Sequence, residues 1–72
     1  MAEIRSELSA NVWKVLVTVG DNVADGDTVV ILESMKMEIP VISEVAGTVS
    51  SLAVAEGDSI DEDELIAEID EG

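Results

Sequence analysis

Short stretches in which apolar and polar residues alternate predict that this chain is built from β-strands. Across residues 12–19, Trp13, Val15, Val17 and Val19 alternate with other side chains in a period of two that is rich in β-branched residues. A second apolar run covers residues 29–32, directly after the turn-forming residues 25–27. Several short strands separated by turns every eight to twelve residues indicate an all-β sandwich or flattened barrel.

The chain contains an internal repeat, because residues 6–33 align with residues 43–70 without a gap. The alignment places Gly20 and Asp21 over Gly57 and Asp58, and places serine, glutamate and valine positions of the first half over the same residues in the second. A unit too small to bury its own apolar face is expected to pack against its copy around a shared core. We therefore predict one domain over residues 1–72, with two halves related by a quasi-two-fold axis.

Two segments contain residues that are unusual in a strand. Pro40, the only proline, follows Ile39 in a β-rich stretch, and its missing N–H fits an edge strand or the start of a strand. Near the C-terminus, Ser59 and Glu62 resemble a helix capping box, and the apolar residues that follow have helical spacing. The aligned residues 22–33 are too β-branched for a helix, so we interpret both segments as strands.

Composition excludes several kinds of chemistry. The 72 residues include 17 acidic and 3 basic side chains, which gives a formal charge of −14 at pH 7. Nucleic-acid binding requires clustered Lys and Arg, and the usual zinc sites and nucleophilic pairs require Cys or His, which are absent. No apolar run is longer than four residues, too short for a membrane span. We expect a cytoplasmic, acidic monomer.

The segment between the halves breaks a rule of turn chemistry. Strands on both sides require a tight hairpin at residues 34–37, and the centre of such a turn normally carries Gly, Asn or Asp because it needs positive φ. Here the chain has Met35, Lys36 and Met37. Such local violations tend to mark functional sites. The alternative is that the two methionines fill a gap in the core and Lys36 extends from a strand edge.

Glu33-Ser34-Met35-Lys36-Met37, with Gly20-Asp21-x-Val23 before it and Gly57-Asp58-x-Ile60 after it, resembles the biotinyl/lipoyl attachment domain family. The likeness covers about residues 8–70 and suits the small free-standing members. It implies a flattened barrel of two four-stranded antiparallel sheets, with Lys36 as the residue that carries the cofactor. Methionines on both sides of the lysine are typical of biotin acceptors, whereas lipoyl acceptors have Asp-Lys-Ala.

The resemblance implies a carrier and not an enzyme, with no catalytic residue and no metal. Biotin would be attached to Lys36 by a biotin protein ligase and would carry CO₂ between biotin carboxylase and carboxyltransferase components. The residues expected to contribute to recognition are Glu33, Ser34, Met35, Met37 and Glu38. The residues expected to form structural turns are Gly20, Asp21, Gly26, Gly47, Gly57 and Asp58. A lipoyl carrier and an unmodified acidic interaction module remain as alternatives.

Some residues depart from the family pattern or have a second interpretation. Ala10 and Asp63 stand where relatives often have glycine, and Asp tolerates the left-handed turn conformation well. Lys14 lacks the methionine frame and is expected to stay unmodified. The repeat also predicts that Lys36 lies at the pole opposite both chain ends. The acidic stretch 21–27 only distantly resembles a calcium loop, since Val23 occupies a ligand position.

Overall fold

The computed structural model describes residues 2–72, and these residues form eight β-strands. In chain order the strands are β1 (Ala2–Arg5), β2 (Ala10–Val15), β3 (Asn22–Val23), β4 (Thr28–Ser34), β5 (Met37–Ile42), β6 (Gly47–Leu52), β7 (Ser59–Ile60) and β8 (Leu65–Asp70). Within these described residues no helix is long and apolar enough to cross a membrane. The C-terminal segment with a capping-box pattern and helical spacing forms the strands β7 and β8, as its aligned partner predicts.

The strands form two four-stranded sheets in which every pairing is antiparallel. The first sheet has the order β1-β8-β6-β3, and the second has the order β5-β4-β2-β7. Pro40 lies in β5 at the edge of the second sheet, where its missing N–H removes no bond to a further strand. The all-β prediction and the edge position of Pro40 are both confirmed.

The quasi-two-fold symmetry is visible strand by strand. Residues of β2 and β3 shifted by 37 positions give the bounds of β6 and β7, and β4 corresponds in the same way to β8. Irregularities repeat as well, because a register shift between Val12 and Lys14 in β2 recurs between Val49 and Ser51 in β6. The sheets are therefore two copies of one backbone plan.

The core lies between the two sheets and is almost entirely aliphatic. Its buried apolar members are Val12, Val17, Val23, Val29, Val30, Leu32, Val49, Val54, Ile60, Ile66, Ala67 and Ile69. Two polar residues are also buried, Ser6 and Ser43, at equivalent positions of the repeat. The hydroxyl of Ser6 donates to the carbonyl of Leu8, and that of Ser43 donates to the carbonyl of Val45. Each serine therefore satisfies its own buried hydroxyl while closing a turn.

The strand predicted across residues 12–19 is shorter than its alternation indicates. β2 ends at Val15, because the chain then leaves the second sheet and crosses to the first. The amide of Leu16 still donates to the carbonyl of Val29, but the amide of Gly20 already donates to Val49 in the first sheet. The β-bulge at Trp13 also shifts the alternation, so that Val12 and Val17 are buried and Trp13 faces solvent.

Glycine and aspartate form the turns that connect the sheets. Gly20 and Gly57 have φ values of +98° and +93°, a conformation that favours residues without a Cβ. The carboxylates of Asp21 and Asp58 accept hydrogen bonds of 2.9 Å from the amides of Thr18 and Ala55. Each carboxylate therefore holds its own turn closed by accepting from the amide three residues before it.

Candidate modification site

The strands β4 and β5 meet in a hairpin with a two-residue turn. Ser34 pairs with Met37, which leaves Met35 and Lys36 as the central residues of the turn. Their φ values are +52° and +65°, so both adopt the left-handed conformation of a type I′ turn. The turn lies where the sequence requires it, and neither central residue is the glycine or asparagine that such turns prefer.

A rigid support holds this turn. β4 lies between β5 and β2 in the second sheet, so both of its edges are hydrogen-bonded. Its residues Val30 and Leu32 are fully buried in the core, and Leu32 pairs with Val12 on one side and Ile39 on the other. The hairpin therefore extends from a strand that is hydrogen-bonded on both edges over residues 30–33 and packed into the core, so the backbone that carries the tip is held in place.

The side chains at the tip point into solvent. Met35 is 90% exposed and Met37 is 59% exposed, and Lys36 is also exposed. The Lys36 ammonium group makes no hydrogen bond or ion pair with any of residues 2–72. The alternative in which the methionines fill a gap in the core is therefore wrong for Met35 and Met37. A primary amine stands free between two exposed thioether side chains.

Two carboxylates face each other directly below the turn. Glu33 on β4 pairs with Glu38 on β5, and both side chains are exposed. Like charges directly opposite in an antiparallel pair destabilise the sheet, by roughly 0.2–1 kcal/mol on the scale of such pairs. Their position beside Lys36 makes the base of the tip acidic, so a protein that closes around the amine also contacts negative charge.

A shallow hollow of about 350 Å³ adjoins the tip on the side of β7. Ser34, which is half-buried, and Met35 line it together with Asn11 and Ser59. The hydroxyl of Ser59 donates to the side-chain oxygen of Asn11 over 2.8 Å, which joins β7 to the start of β2. Of the residues predicted to contribute to recognition, Met35 and Met37 lie at the tip, Glu33 and Glu38 at its base, and Ser34 at the edge of this hollow.

The chain's other lysine has different surroundings. Lys14 lies within β2, and its ammonium nitrogen is 5.5 Å from the centre of the Trp13 ring, within cation–π range. Lys14 therefore lies on a sheet surface beside an aromatic ring, whereas Lys36 projects from a turn. The prediction that Lys14 stays unmodified has a structural reason, because an active site would have to close over the flat face of a sheet to reach it.

The strand pairings connect the hairpin and the C-terminus to different parts of the chain. Glu33 pairs with Asn11 at the start of β2, whereas Asp70 pairs with Thr48, which in turn pairs with Asn22. Between Asn11 and Asn22 the chain runs along the molecule, whose extents are 36 × 17 × 17 Å. The pairing therefore supports the prediction that Lys36 and Gly72 are at opposite poles.

The remaining predicted residues have structural positions. Gly26 has φ +94°, whereas Gly47 has ordinary φ but lies so close to β8 that a Cβ would come within 2.3 Å of the Asp70 carbonyl oxygen. The carboxylate of Asp27 accepts a hydrogen bond from the amide of Ala24, as expected of a turn residue. Residues 2–72 contain no group of three or more side chains placed to hold a metal ion.

Comparison with known proteins gives this site its context. Residues 2–69 match the biotin/lipoyl family model described as "Biotin-requiring enzyme". The chain is 53% identical over 70 residues to the biotinylated protein TB7.3 homolog of Mycobacterium leprae, covering 96% of this chain and 99% of that protein. It is 41% identical over 63 residues to the biotin/lipoyl attachment protein of Bacillus subtilis, covering 88% of this chain and 86% of that protein.

A solved structure has the same fold. The urea carboxylase of Kluyveromyces lactis contains a region that superposes with a TM-score of 0.88 at 35% identity, covering 94% of this chain but 6% of the carboxylase. The family model and the relatives, together with the two-sheet fold, identify an attachment domain. The chain belongs to the biotin/lipoyl attachment domain family, and it is a non-catalytic attachment domain of that family. The prediction of a small carrier instead of an enzyme is confirmed.

Proposed function

We propose that this chain is a biotin carrier and that Lys36 is the residue to which a biotin protein ligase attaches biotin. The observation that carries this proposal is the free ammonium group of Lys36 at the centre of an exposed turn, between Met35 and Met37. Lysine is a suitable acceptor because its primary amine lies at the end of a four-carbon stem and becomes nucleophilic once it loses a proton.

The attachment step is an acyl transfer. The Nζ atom of Lys36 attacks the carboxyl carbon of biotinyl-adenylate, and a C–N amide bond forms as the bond from that carbon to the phosphate oxygen breaks. AMP leaves with the bonding electron pair, and Nζ gives up two protons to the ligase or to water, one before it attacks and one as the amide forms. One positive charge disappears, so the formal charge of the chain falls by one from −14 to −15.

The residues around Lys36 favour biotin over lipoate. The methionines on both sides of the lysine match the pattern of biotin acceptors, and a relative that is 53% identical is named a biotinylated protein. A lipoyl carrier is the second candidate, because it would use the same lysine on the same hairpin and because another relative is named a biotin/lipoyl attachment protein. The two candidates differ in which enzyme accepts the Met-Lys-Met tip.

The fold suits a carrier that serves two active sites. Lys36 extends from one end of a body 36 Å long, so the attached biotin can enter a deep site while the rest of the domain stays outside. Tethering raises the effective concentration of biotin at each site without dissociation. The proposed partners are a biotin carboxylase and a carboxyltransferase component, between which the biotin carries CO₂. We also propose that the chain is a monomer, because two copies that each carry a formal charge of −14 repel each other. We propose a cytoplasmic location, because the attachment reaction consumes ATP.

The test is a modification experiment on the intact chain. The protein is incubated with biotin, ATP and a biotin protein ligase, and in parallel with lipoate, ATP and a lipoate ligase, and the products are measured by intact mass and peptide mapping. We expect one biotin on Lys36, none on the Lys36→Arg variant and full modification of the Lys14→Arg control. A lipoyl adduct alone would support the second candidate, and no adduct with either enzyme would reject carrier function.

A further inference from the structure

The two sheets share one backbone plan but present different outward faces. In the second sheet Lys14 pairs with Ile31, and Ile31 pairs with Pro40, so these residues form a row across β2, β4 and β5. Residues directly opposite in an antiparallel sheet lie on the same side. The equivalent row of the first sheet consists of Ser51, Glu68 and Glu3. The row that is partly apolar in one sheet is polar and acidic in the other.

The contrast extends to the exposed apolar residues next to this row. Trp13 is 43% exposed and Leu16 is 51% exposed. The equivalent positions, 37 residues later, carry Ser50 and Ala53. Because the second repeat builds the same strands with small residues at these positions, the fold itself does not require apolar side chains there. Their presence in the first repeat therefore needs another explanation.

The backbone presents Trp13 to solvent. Trp13 is the extra residue of the β-bulge between Val12 and Lys14, and a bulge of this kind turns a side chain away from the ordinary alternation. At the same bulge of the other repeat, the hydroxyl of Ser50 donates to the carbonyl of Glu68 over 3.1 Å. In the second repeat, the bulge residue thus makes a hydrogen bond within its own sheet. In the first repeat, the bulge residue is the chain's only aromatic residue and is exposed.

We propose that Trp13, Leu16, Ile31 and Pro40, hereafter the outer apolar face, form the docking surface for the ligase that attaches biotin to Lys36. This inference rests on the proposed function. Ile31 lies three strand positions below Ser34, the last residue before the turn, which is about 10 Å at 3.3 Å per residue. A typical protein interface covers about 800 Å² on each partner, so a single interface can span the tip and the outer apolar face.

Geometry selects the ligase as the occupant. A ligase has to bring its activated biotin to the Nζ atom of the unmodified Lys36, so its surface must lie against the hairpin and the adjoining sheet. An enzyme that acts on the attached biotin meets it at the end of an extended arm and does not need that contact. The outer apolar face lies on the sheet that bears Lys36, below Glu33 and Glu38, whereas no strand of the other sheet carries an exposed large apolar side chain among residues 2–72.

The negative charge of this chain indicates which side chains the ligase surface should carry. Glu33 and Glu38 lie between the tip and the row that contains Ile31, and the whole chain carries a formal charge of −14. The complementary surface is therefore an apolar pocket for Trp13, whose ring already lies 5.5 Å from the Lys14 ammonium nitrogen, with basic side chains on the side that faces Glu33 and Glu38. A second copy of this chain would bring the same negative charge and is disfavoured as an occupant.

The experiment gives the first repeat the residues of the second. Trp13→Ser and Leu16→Ala each introduce the residue found 37 positions later, and Ser51→Ala on the opposite face is the matched control. With a biotin protein ligase that modifies the wild-type chain, we expect Trp13→Ser to raise the KM for the domain about tenfold, with kcat changed less than twofold. Trp13→Phe should have a KM much closer to that of the wild-type chain, and the KM of Ser51→Ala should lie within twofold of the wild-type value.

The outcomes separate this inference from the proposed function. If intact mass shows no biotin on the wild-type chain, the proposed function fails before any KM is measured. If biotin is attached and the KM is the same in folded Trp13→Ser and Leu16→Ala, the outer apolar face does not bind the ligase. Circular dichroism checks folding, and Leu16→Ala decides if Trp13→Ser does not fold. A wild-type dimer in sedimentation that Trp13→Ser dissociates would assign the face to self-association and overturn the proposal.

Discussion

Gly26 and Asp63 occupy equivalent turns of the two repeats, and Ala10 and Gly47 occupy equivalent strand starts. The turns have nearly the same backbone, since φ is +94° at Gly26 and +72° at Asp63 and both amides donate over 2.7 Å to the carbonyl of a buried serine. The side chains at these positions differ between the repeats, whereas the backbone conformation is nearly the same. A substitution in one repeat can therefore be compared with the natural residue at the equivalent position of the other repeat.

The largest effect is expected at Gly47. A Cβ there would lie 2.3 Å from the carbonyl oxygen of Asp70 and 2.8 Å from the Cγ2 atom of Ile69, so β6 and β8 would have to move apart. Forcing extra atoms into a packed site costs typically 1–3 kcal/mol, and backbone contacts leave little room to relax. We expect Gly47→Ala to lower the free energy of unfolding by about 3 kcal/mol, measured by urea denaturation with circular dichroism.

The reverse substitution in the first repeat is the control. Ala10 already carries a Cβ, so β4 leaves room beside β2 that β8 does not leave beside β6. Ala10→Gly should cost about 1 kcal/mol, mainly from the greater freedom of the unfolded chain. Equal losses in the two variants would show that the close approach at Gly47 contributes nothing to the difference between the repeats.

This comparison also shows why part of the molecule follows from the sequence. The repeat, the Gly-Asp turns and the β-branched runs identify the strands, because alternation and turn chemistry are local properties. The hairpin at residues 34–37 stands out through a local conflict, since a type I′ turn with two long side chains is unfavourable, whereas Lys36 as the acceptor comes from the resemblance to the family. The bulge at Trp13 does not follow, because it depends on how β2 pairs with β4. In the sequence, the bulge is marked only by the replacement of Trp13 with a small polar residue, Ser50, at the equivalent position of the second repeat.

The hairpin turn is expected to show a conflict between stability and modification. Met35 has φ +52° and is 90% exposed, so its side chain contributes little packing while its Cβ disfavours the conformation. Met35→Asn supplies the residue that type I′ turns prefer and should raise the free energy of unfolding by about 0.5–1 kcal/mol. The same variant should lose about tenfold in kcat/KM for biotin attachment, equivalent to one lost contact of about 1.4 kcal/mol.

Met37→Asn is the matched control for that prediction. Met37 is exposed but lies in β5 and does not have positive φ, so asparagine there should reduce biotin attachment without stabilising the fold. Unfolding free energies and attachment rates are measured on the same preparations. If Met35→Asn is stabilised and is modified at the wild-type rate, the methionine before the lysine has no role in recognition, and the strain in the turn has no functional reason.

The smallest effect is expected at Asp63, where glycine would copy the other repeat. Asp63→Gly removes the Cβ from a residue at φ +72° but adds freedom to the unfolded chain, so the net gain should be about 0.5 kcal/mol. The hydrogen bond from Arg5 Nη1 to Asp63 uses the backbone carbonyl and survives the change. Asp63→Gly also removes one negative charge from a chain of −14, and Asp63→Asn removes the same charge while keeping a Cβ. If thermal unfolding shows that Asp63→Gly and Asp63→Asn are stabilised equally, the gain comes from relief of charge repulsion and not from the backbone conformation of the turn.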